Sequence, residues 1–437
     1  MTINREKIAS ALNHTGIISL NEMQQAVLDV DISRDMILLS PTGSGKTLAF
    51  LLPLLVSLTD EQKKVQALII APSRELALQI ESVFRSLGSG YKVNCCYGGH
   101  PIRTEKKNLE HPPTVLIATP GRLVDHIERG NIHLDTVHTL ILDEFDKSLE
   151  LGFLSEMKEI LSHLPALQRR VLTSATSSVD IPPFTGMTNP VRFSFLTETK
   201  TVKGLTVYQV KSPEKDKLET LCRLLGELKG ESALVFCNLR EAVERVSHYL
   251  TEEGVDNDFF HGGMEQPERE RALSHFRNGS SNVFISTDLA SRGLDIPEVQ
   301  NVIHYHLPHN EEAYIHRNGR TARMHAEGRA FIILHEAEVT PDYLHHEPDQ
   351  FYLPDTVKRP QQTAWVTLTI NRGKRDKISK KDIVGFLFQK GGLEKDDLGI
   401  VEVKESCSYA AIKRDKLKEL LSRIRDQKIK NMKAKFN

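Results

Sequence analysis

The sequence predicts an α/β protein of two tandem parallel-sheet domains, followed by a small α+β domain of ferredoxin-like order. Three observations carry this expectation. Between Asp35 and Thr176, apolar runs of four or five residues alternate with segments of helical spacing. The same rhythm restarts after a polar stretch at Thr197–Gly204. From Gln362 onward the pattern changes to a β-α-β-β-α order. Length agrees, because 437 residues exceed one compact core and suit two or three domains.

In the first domain the predicted strands are Met36–Leu39, Ala67–Ile70, Val115–Ala118, Thr139–Leu142 and Arg170–Thr173. Helical spacing runs through Leu48–Leu58 and Glu75–Leu87. Short apolar strands alternating with helices imply a parallel sheet covered on both faces. The second domain offers Ala233–Cys237, Asp258–Phe260, Val283–Ser286, Asn301–Tyr305 and Gly328–Leu334 as strands. The segment from His335 to Gln362, rich in Pro, Asp, Glu and His, reads as a linker with little structure of its own. Beyond it, strands are expected at Trp365–Ile370, Ile400–Val403 and Tyr409–Ile412, helices at Lys380–Gln389 and Asp415–Asp426, and a last strand near Lys433–Phe436. The expected domains span 1–200, 205–340 and 362–437, with 341–361 as the linker.

Composition narrows the function classes. No run of about 18 apolar residues occurs, so a membrane span is not expected. Five cysteines without CxxC spacing argue against a zinc site or a disulfide framework. Met1–Leu20 lacks the basic start and apolar block of a secretion signal, and a cytoplasmic location is expected. Net charge is −1 overall but unevenly spread. From Gln362 to the end there are 19 Lys and Arg against 10 Asp and Glu, a net of +9 on an acidic body of −10. Such a tail is either a polyanion-binding module or a solvated basic surface, and composition leaves both open.

The motifs decide between them. Strand Met36–Leu39 runs into Ser40-Pro41-Thr42-Gly43-Ser44-Gly45-Lys46-Thr47 and then a helix. Backbone amides of such a loop cradle phosphate at the positive end of the helix. Lys46 would reach the β- and γ-phosphates of a nucleotide, and Thr47 would hold Mg²⁺. Strict phosphate-loop form has Gly at position 40, where this chain has Ser, and Gly43 supplies flexibility instead. Thr139–Leu142 ends in Asp143-Glu144-Phe145-Asp146, carboxylates where ligands of doubly wound sheets bind. Asp143 is placed to hold Mg²⁺ through water and Glu144 to activate the attacking water.

Asp143-Glu144-Phe145-Asp146 resembles the DEAD-box signature with Phe in third place, and its neighbours resemble that family of RNA helicases in order. They are Pro72-Ser73-Arg74-Glu75-Leu76-Ala77, Gly98-Gly99, Thr119-Pro120-Gly121-Arg122 and Ser174-Ala175-Thr176. The second domain adds Val235-Phe236-Cys237-Asn238, Gln266-Pro267-Glu268-Arg269, Ser286-Thr287-Asp288, Ala290-Ser291-Arg292-Gly293-Leu294-Asp295 and His316-Arg317-Asn318-Gly319-Arg320-Thr321-Ala322-Arg323. The resemblance implies two RecA-like domains and ATP with Mg²⁺ as cofactors. It further implies that Gln24 reads adenine, that Gly293 and Asp295 lie at the nucleotide with Asp295 on the ribose, and that Arg320 and Arg323 act on the γ-phosphate. RNA contacts are implied at Arg74, Gly98, Gly99, Thr119, Arg122, Gln266, Arg269 and Thr287. Asp146, Ser174 and Thr176 would couple domain closure to strand separation. In this chain no aromatic precedes Gln24, Leu20-Asn21 stands for the common Pro-Thr, and Asn318 and Ala322 replace Ile and Gly. Phe145 for Ala is expected to add bulk beside the Mg²⁺ site.

Trp365–Asn437 resembles the RNA-recognition-motif-like domain that ends DbpA-type helicases. The resemblance is carried by Ile370-Asn371-Arg372-Gly373-Lys374-Arg375-Asp376-Lys377-Ile378, Asp382-Ile383-Val384-Gly385, Leu398-Gly399-Ile400 and Ser408-Tyr409-Ala410-Ala411-Ile412. In that subfamily the domain docks on large-subunit ribosomal RNA, which implies a role in ribosome assembly. The sheet offers only Tyr409 for base stacking, so the basic loop with Lys374, Arg375 and Lys377 and the basic end Arg423–Lys435 are the expected contacts. Trp365 and Phe386 are expected in the core. The whole reads as a monomeric, ATP-driven RNA-remodelling enzyme with no metal beyond Mg²⁺; the alternative is an ATP-gated RNA clamp with little turnover.

Overall fold

The structure is a computed structural model that describes residues 5–31, 33–41, 43–61, 64–99, 101–176, 181–196, 204–288, 296–322, 327–344, 348–354 and 360–437. It separates into two compact units, one built on the first sheet, the other containing the second sheet and the C-terminal domain.

The first sheet has seven parallel strands: β1 (Met36–Leu39), β2 (Ala67–Ile70), β3 (Val93–Cys96), β4 (Val115–Ala118), β5 (Thr139–Leu142), β6 (Arg169–Ser174) and β7 (Val191–Ser194). Their order is β3-β4-β2-β5-β6-β1-β7. The apolar runs are buried along their whole length because both faces are covered, and side chains alternate between two cores. Met36, Leu38, Ile69 and Ile117 pack with the helices Glu22–Leu28, Lys46–Ser57 and Arg74–Ser86. Ile37, Leu39, Ile70 and Leu142 pack with those at Pro120–Glu128, Phe145–Glu150 and Leu154–Ser162.

The second sheet repeats the first. Its strands are β8 (Leu205–Ser212), β9 (Ala233–Cys237), β10 (Asn257–Phe260), β11 (Val283–Thr287), β12 (Asn301–His304), β13 (Gly328–His335) and β14 (Asp349–Gln350). The order β10-β11-β9-β12-β13-β8-β14 is that of the first sheet, strand for strand, and again all pairs are parallel. The linker expectation needs correction here. Residues 348–354 belong to the second domain: β14 extends the sheet, Gln350 Nε2 donates to the Gln209 carbonyl at 2.9 Å, and Phe351 meets Phe331 and Tyr208 edge-on. Phe351 and Leu353, both half-buried, pack this stretch against the core of the second domain.

The C-terminal domain has an antiparallel sheet of β15 (Trp365–Ile370), β16 (Leu398–Val403) and β17 (Ser408–Lys413), ordered β15-β17-β16. The helices Lys380–Gln389 and Arg414–Ile424 cover one face, burying Leu368, Ile370, Ala410, Ile412, Ile383, Leu387 and Leu420. In place of a full last strand, β18 (Lys428–Ile429) and β19 (Met432–Lys433) form a hairpin. The chain end then runs along β15, where Thr369 and Asn437 exchange backbone bonds of 2.7 and 3.0 Å.

The opposite face of this sheet is covered by the second domain. Thr367 bonds Asn278 and Ser280, Ser274 Oγ donates to Glu402 at 2.8 Å, and Tyr409 meets His275 edge-on. Arg414 ties the seam by donating to Asp256 Oδ2 at 2.6 Å and to the Thr363 carbonyl at 2.6 Å. A Cβ on Gly279 would lie 3.6 Å from the Trp365 ring, so Trp365 sits at this seam rather than in the core, while Phe386 is core and stacks on Phe436.

Candidate functional site

The first sheet presents its strand ends to one edge, and the expected nucleotide residues of the first domain that are described lie there. Gly45 precedes the Lys46–Ser57 helix with φ 89°, a left-handed conformation that glycine adopts without strain. A Cβ at Gly45 would also stand 2.6 Å from Gln24 Nε2 and would push that amide aside, so the positive φ is what calls for glycine. Lys46 is buried and donates to the Ser40 carbonyl at 2.6 Å, which curls the loop around its own ammonium group. Ser40, in the place of a glycine, is fully buried and donates to Ser44 Oγ at 2.6 Å, bracing the loop across its base. Gln24 and Asn21 form a reciprocal capping box at the start of their helix. Their remaining amide donors reach the Gly45 and Ser44 carbonyls at 3.3 and 3.0 Å. Asn21 thus stands in the cap position and adds a tether to the phosphate loop. Thr42 lies outside the described residues; Gly43 and Thr47 are on the loop and at the helix start.

The carboxylates follow β5. Asp143 is buried, and its pKa is raised above the ordinary 3.8, chiefly by burial and against the pull of the Thr173 hydroxyl and the Lys46 charge. Thr173 Oγ1 donates to Asp143 Oδ1 and also accepts from the Glu144 amide at 3.2 Å, locking both residues to β6. Glu144 has φ 48° and ψ 52°, a left-handed conformation unusual for a side-chain-bearing residue and typical of strained functional positions. Next to it, Asp146 accepts from Thr176 Oγ1 at 3.3 Å, and Ser174 Oγ accepts from the Thr176 amide at 3.0 Å. The three residues expected to couple closure are therefore in contact.

Phe145 departs from expectation. Its ring is fully buried in the apolar cluster beneath the Pro120–Glu128 and Leu154–Ser162 helices, with Leu142, Met157 and Ile160. The added bulk fills the core instead of crowding the cation site.

On the same unit, Arg74 opens the helix after β2, and Gly98-Gly99 follow β3. A Cβ on Gly99, at φ 96°, would collide with the Arg74 guanidinium. The glycine pair thus lets backbone and arginine approach one surface together. Thr119 and Arg122 flank the start of the Pro120–Glu128 helix, with the Thr119 amide bonded to the Cys96 carbonyl at 3.0 Å. In the second unit, Gln266 and Arg269 lie in the first turn of the Gln266–Arg277 helix, and Arg269 stacks its guanidinium 4.6 Å from the Phe260 ring centre. Thr287 ends β11. Arg320 is buried after the Glu311–Asn318 helix; Gly293, Asp295 and Arg323 lie outside the described residues. In the C-terminal domain, Lys374, Arg375 and Lys377 are exposed on a turn clipped to the Lys404 and Glu405 carbonyls. Arg372 reaches the Lys433 carbonyl at 2.8 Å and Lys430 the Lys377 carbonyl at 3.1 Å, so the two basic segments form one surface.

Three family descriptions match in order: DEAD/DEAH box helicase over residues 21–181, helicase conserved C-terminal domain over 216–325, and DbpA RNA binding domain over 367–437. The ATP-dependent RNA helicase DbpA of Bacillus subtilis is 30% identical over 463 residues, covering 98% of this chain and 97% of the relative. Its Escherichia coli counterpart is 32% identical over 431 residues, covering 96% and 94%. The chain belongs to the DEAD-box RNA helicases. Among solved structures, S. cerevisiae Dbp5 bound to RNA and ADP BeF3 matches with TM-score 0.68 and 26% identity, covering 79% of this chain and 93% of that one. The protein is thus an ATP-dependent, RNA-binding DEAD-box helicase of the DbpA-like kind.

Within that family frame the structure gives further residues a place. The equal strand orders place Arg240, which opens the helix after β9, where Arg74 stands in the first domain. Gly262-Gly263 follow β10 as Gly98-Gly99 follow β3, and a Cβ on Gly263 would lie 3.4 Å from the Arg240 guanidinium. The second glycine pair was the legible signal. Arg317, in the last helicase motif, is buried and holds Asp288 with both carboxylate oxygens at 2.6 Å, the His306 carbonyl at 2.6 Å and Asn238 at 2.8 Å. It joins three motifs of the second domain into one rigid edge. Ala322, where the family usually has Gly, carries φ 52° and so stores strain of about 1–2 kcal/mol.

Cys96, Glu105 and His126 also bring possible ligand atoms within 4.8 Å of one another. Hydrogen bonds already account for that group. Glu105 accepts from the Tyr97 amide at 2.9 Å and pairs with His126 Nε2 at 2.7 Å.

Proposed function

We propose that this helicase remodels or unwinds short RNA duplexes, with large-subunit ribosomal RNA as its substrate during ribosome assembly in the cytoplasm. One observation carries the reading: a phosphate loop and buried carboxylates share a chain with a basic C-terminal domain seated on the second motor domain. Lys46 exchanges the Ser40 carbonyl for β- and γ-phosphate oxygens when ATP enters. Thr47 and Asp143 would hold Mg²⁺, Asp143 through water; a buried carboxylate beside a hydroxyl and a phosphate loop is the hard oxygen set that this cation takes. The cation supplies charge for the transferring phosphoryl group. Glu144, held by the Thr173 hydroxyl, orients and deprotonates the attacking water.

Arg320 and Arg323 act on the γ-phosphate when the second domain closes, which makes ATP a ligand that selects the closed state. Asp146, Thr176 and Ser174 pass that closure to the RNA. The strand lies along Arg74, Gly98, Gly99, Thr119 and Arg122 in one domain and Arg240, Gly262, Gly263, Gln266, Arg269 and Thr287 in the other. Such contacts go to phosphate and sugar, which gives RNA preference with little sequence preference. Selectivity then falls to the surface of Lys374, Arg375 and Lys377, since the sheet face of the docking domain is covered.

Steady-state ATP hydrolysis tests the reading, measured with a large-subunit ribosomal RNA fragment, an unrelated RNA, DNA and no nucleic acid. The expected result is strongest stimulation by the ribosomal fragment and none by DNA. Equal stimulation by both RNAs removes the ribosomal assignment, and negligible turnover with tight ATP-dependent binding would make the protein a clamp. Glu144→Gln is expected to keep ATP and RNA binding while lowering turnover by about 10²-fold or more. Unchanged turnover removes Glu144 from its role.

A further inference from the structure

Glu105 lies on the Ile102–Leu109 helix and is almost fully buried, at 3% exposure. A carboxylate in that setting is costly unless several donors hold it. One oxygen accepts from the Tyr97 amide at 2.9 Å, immediately before Gly98-Gly99. The other faces His126 Nε2 at 2.7 Å and Arg122 Nε at 3.6 Å, both on the Pro120–Glu128 helix. Asn131 Nδ2 lies 3.2 Å from His126 Nδ1, and because a carboxylate only accepts, Nε2 is the ring nitrogen that donates to Glu105. Arg122 is itself only 11% exposed and has Asp125 at 3.9 Å as a second carboxylate. A single buried carboxylate therefore ties the glycine turn after β3 to the arginine that follows β4. These are two of the elements placed on RNA above.

We propose that Glu105 is a positioning residue for RNA binding: it presets Arg122 and the Tyr97–Gly99 turn as one phosphate-binding unit. The proposal rests on the reading that Arg122 and the glycine pair contact RNA. Arginine carries five rotatable-stem donors whose ordering costs entropy on binding, and a preset guanidinium has lost that freedom beforehand. His126 and Asn131 complete the mount. They fix the carboxylate so that its pull on Arg122 has one direction.

The test uses the full chain and measures RNA-stimulated ATP hydrolysis against single-stranded RNA concentration, with thermal melts alongside. Glu105→Ala is expected to raise the half-saturating RNA concentration about tenfold, with kcat at saturating RNA and KM for ATP nearly unchanged. Glu105→Gln is expected to keep most of that loss, because donors face both carboxylate oxygens and the amide NH2 would meet one of them without the charge that holds Arg122. Glu105→Ala with Arg122→Ala is expected to be no worse than Arg122→Ala alone, because the carboxylate acts through the arginine. If Arg122→Ala raises the RNA requirement and Glu105→Ala does not, the positioning role is overturned while the RNA contact stands. If Arg122→Ala itself changes nothing, the RNA reading of that residue fails and the proposal with it. Should Glu105→Ala not fold, Glu105→Gln paired with Arg122→Ala decides: additive losses overturn the proposal, and non-additive losses support it.

Discussion

Replacing Phe145 by Ala restores the letter most DEAD-box proteins carry, and the structure expects that change to do harm. The ring is fully buried among Leu142, Met157, Ile160 and their neighbours. Removing it withdraws about 100 Å² of apolar surface, or about 2.5 kcal/mol at 25 cal/mol per Å², before any cavity is counted. Including the cavity, losses for Phe→Ala run to about 3–5 kcal/mol. In a domain of this size that lowers the melting midpoint by roughly 6–20 °C. Differential scanning calorimetry of the full chain reads the transition of the first domain directly. ATP hydrolysis below the transition should change little, since the ring does not face the carboxylates. A midpoint at or above that of the parent would refute the core placement, and a large activity change without a stability loss would show that Phe145 acts at the cation site after all.

Asp143→Asn is expected to abolish hydrolysis yet stabilise the nucleotide-free protein at neutral pH. Its folded pKa is raised, so the charged form costs stability that grows as pH rises from 3.8 through the folded value; a melting scan across pH checks this, and a destabilised Asn variant refutes it. Replacing Lys374, Arg375 and Lys377 together by Ala should weaken structured-RNA affinity and reduce the salt slope by up to about three; an unchanged slope places the docking surface elsewhere. Arg414→Ala should loosen the seam between the C-terminal and second domains, red-shifting the emission of Trp365, the chain's single tryptophan. Unchanged emission would mean that the other seam contacts suffice.

The strands legible in the sequence were those buried on both faces, such as Met36–Leu39 and Ala233–Cys237, where every residue is apolar. Val93–Cys96 and Val191–Ser194 were missed because they lie at sheet edges and carry Asn94, Arg192 and Ser194. Leu205–Ser212 was missed because its residues alternate with exposed polar ones. The phosphate loop and the carboxylates were readable because their chemistry demands fixed residues at fixed spacing. Glu105 and His126 were not, and Arg317 stood in a motif without a role of its own, since a buried charge resembles a surface charge until its partners are placed. The covered face of the C-terminal sheet was also invisible: Thr367, Glu402 and Tyr409 gain meaning only against Ser274, His275 and Asn278.

ATP tightening the protein's hold on RNA is the step on which every later one depends. Fluorescence anisotropy of a labelled single-stranded RNA, titrated with the full chain in a non-hydrolysable ATP analogue and again in ADP, measures this directly. Binding at least about fivefold tighter with the analogue is predicted, within the usual range of coupling between two ligands. Equal affinity in both nucleotides would contradict it.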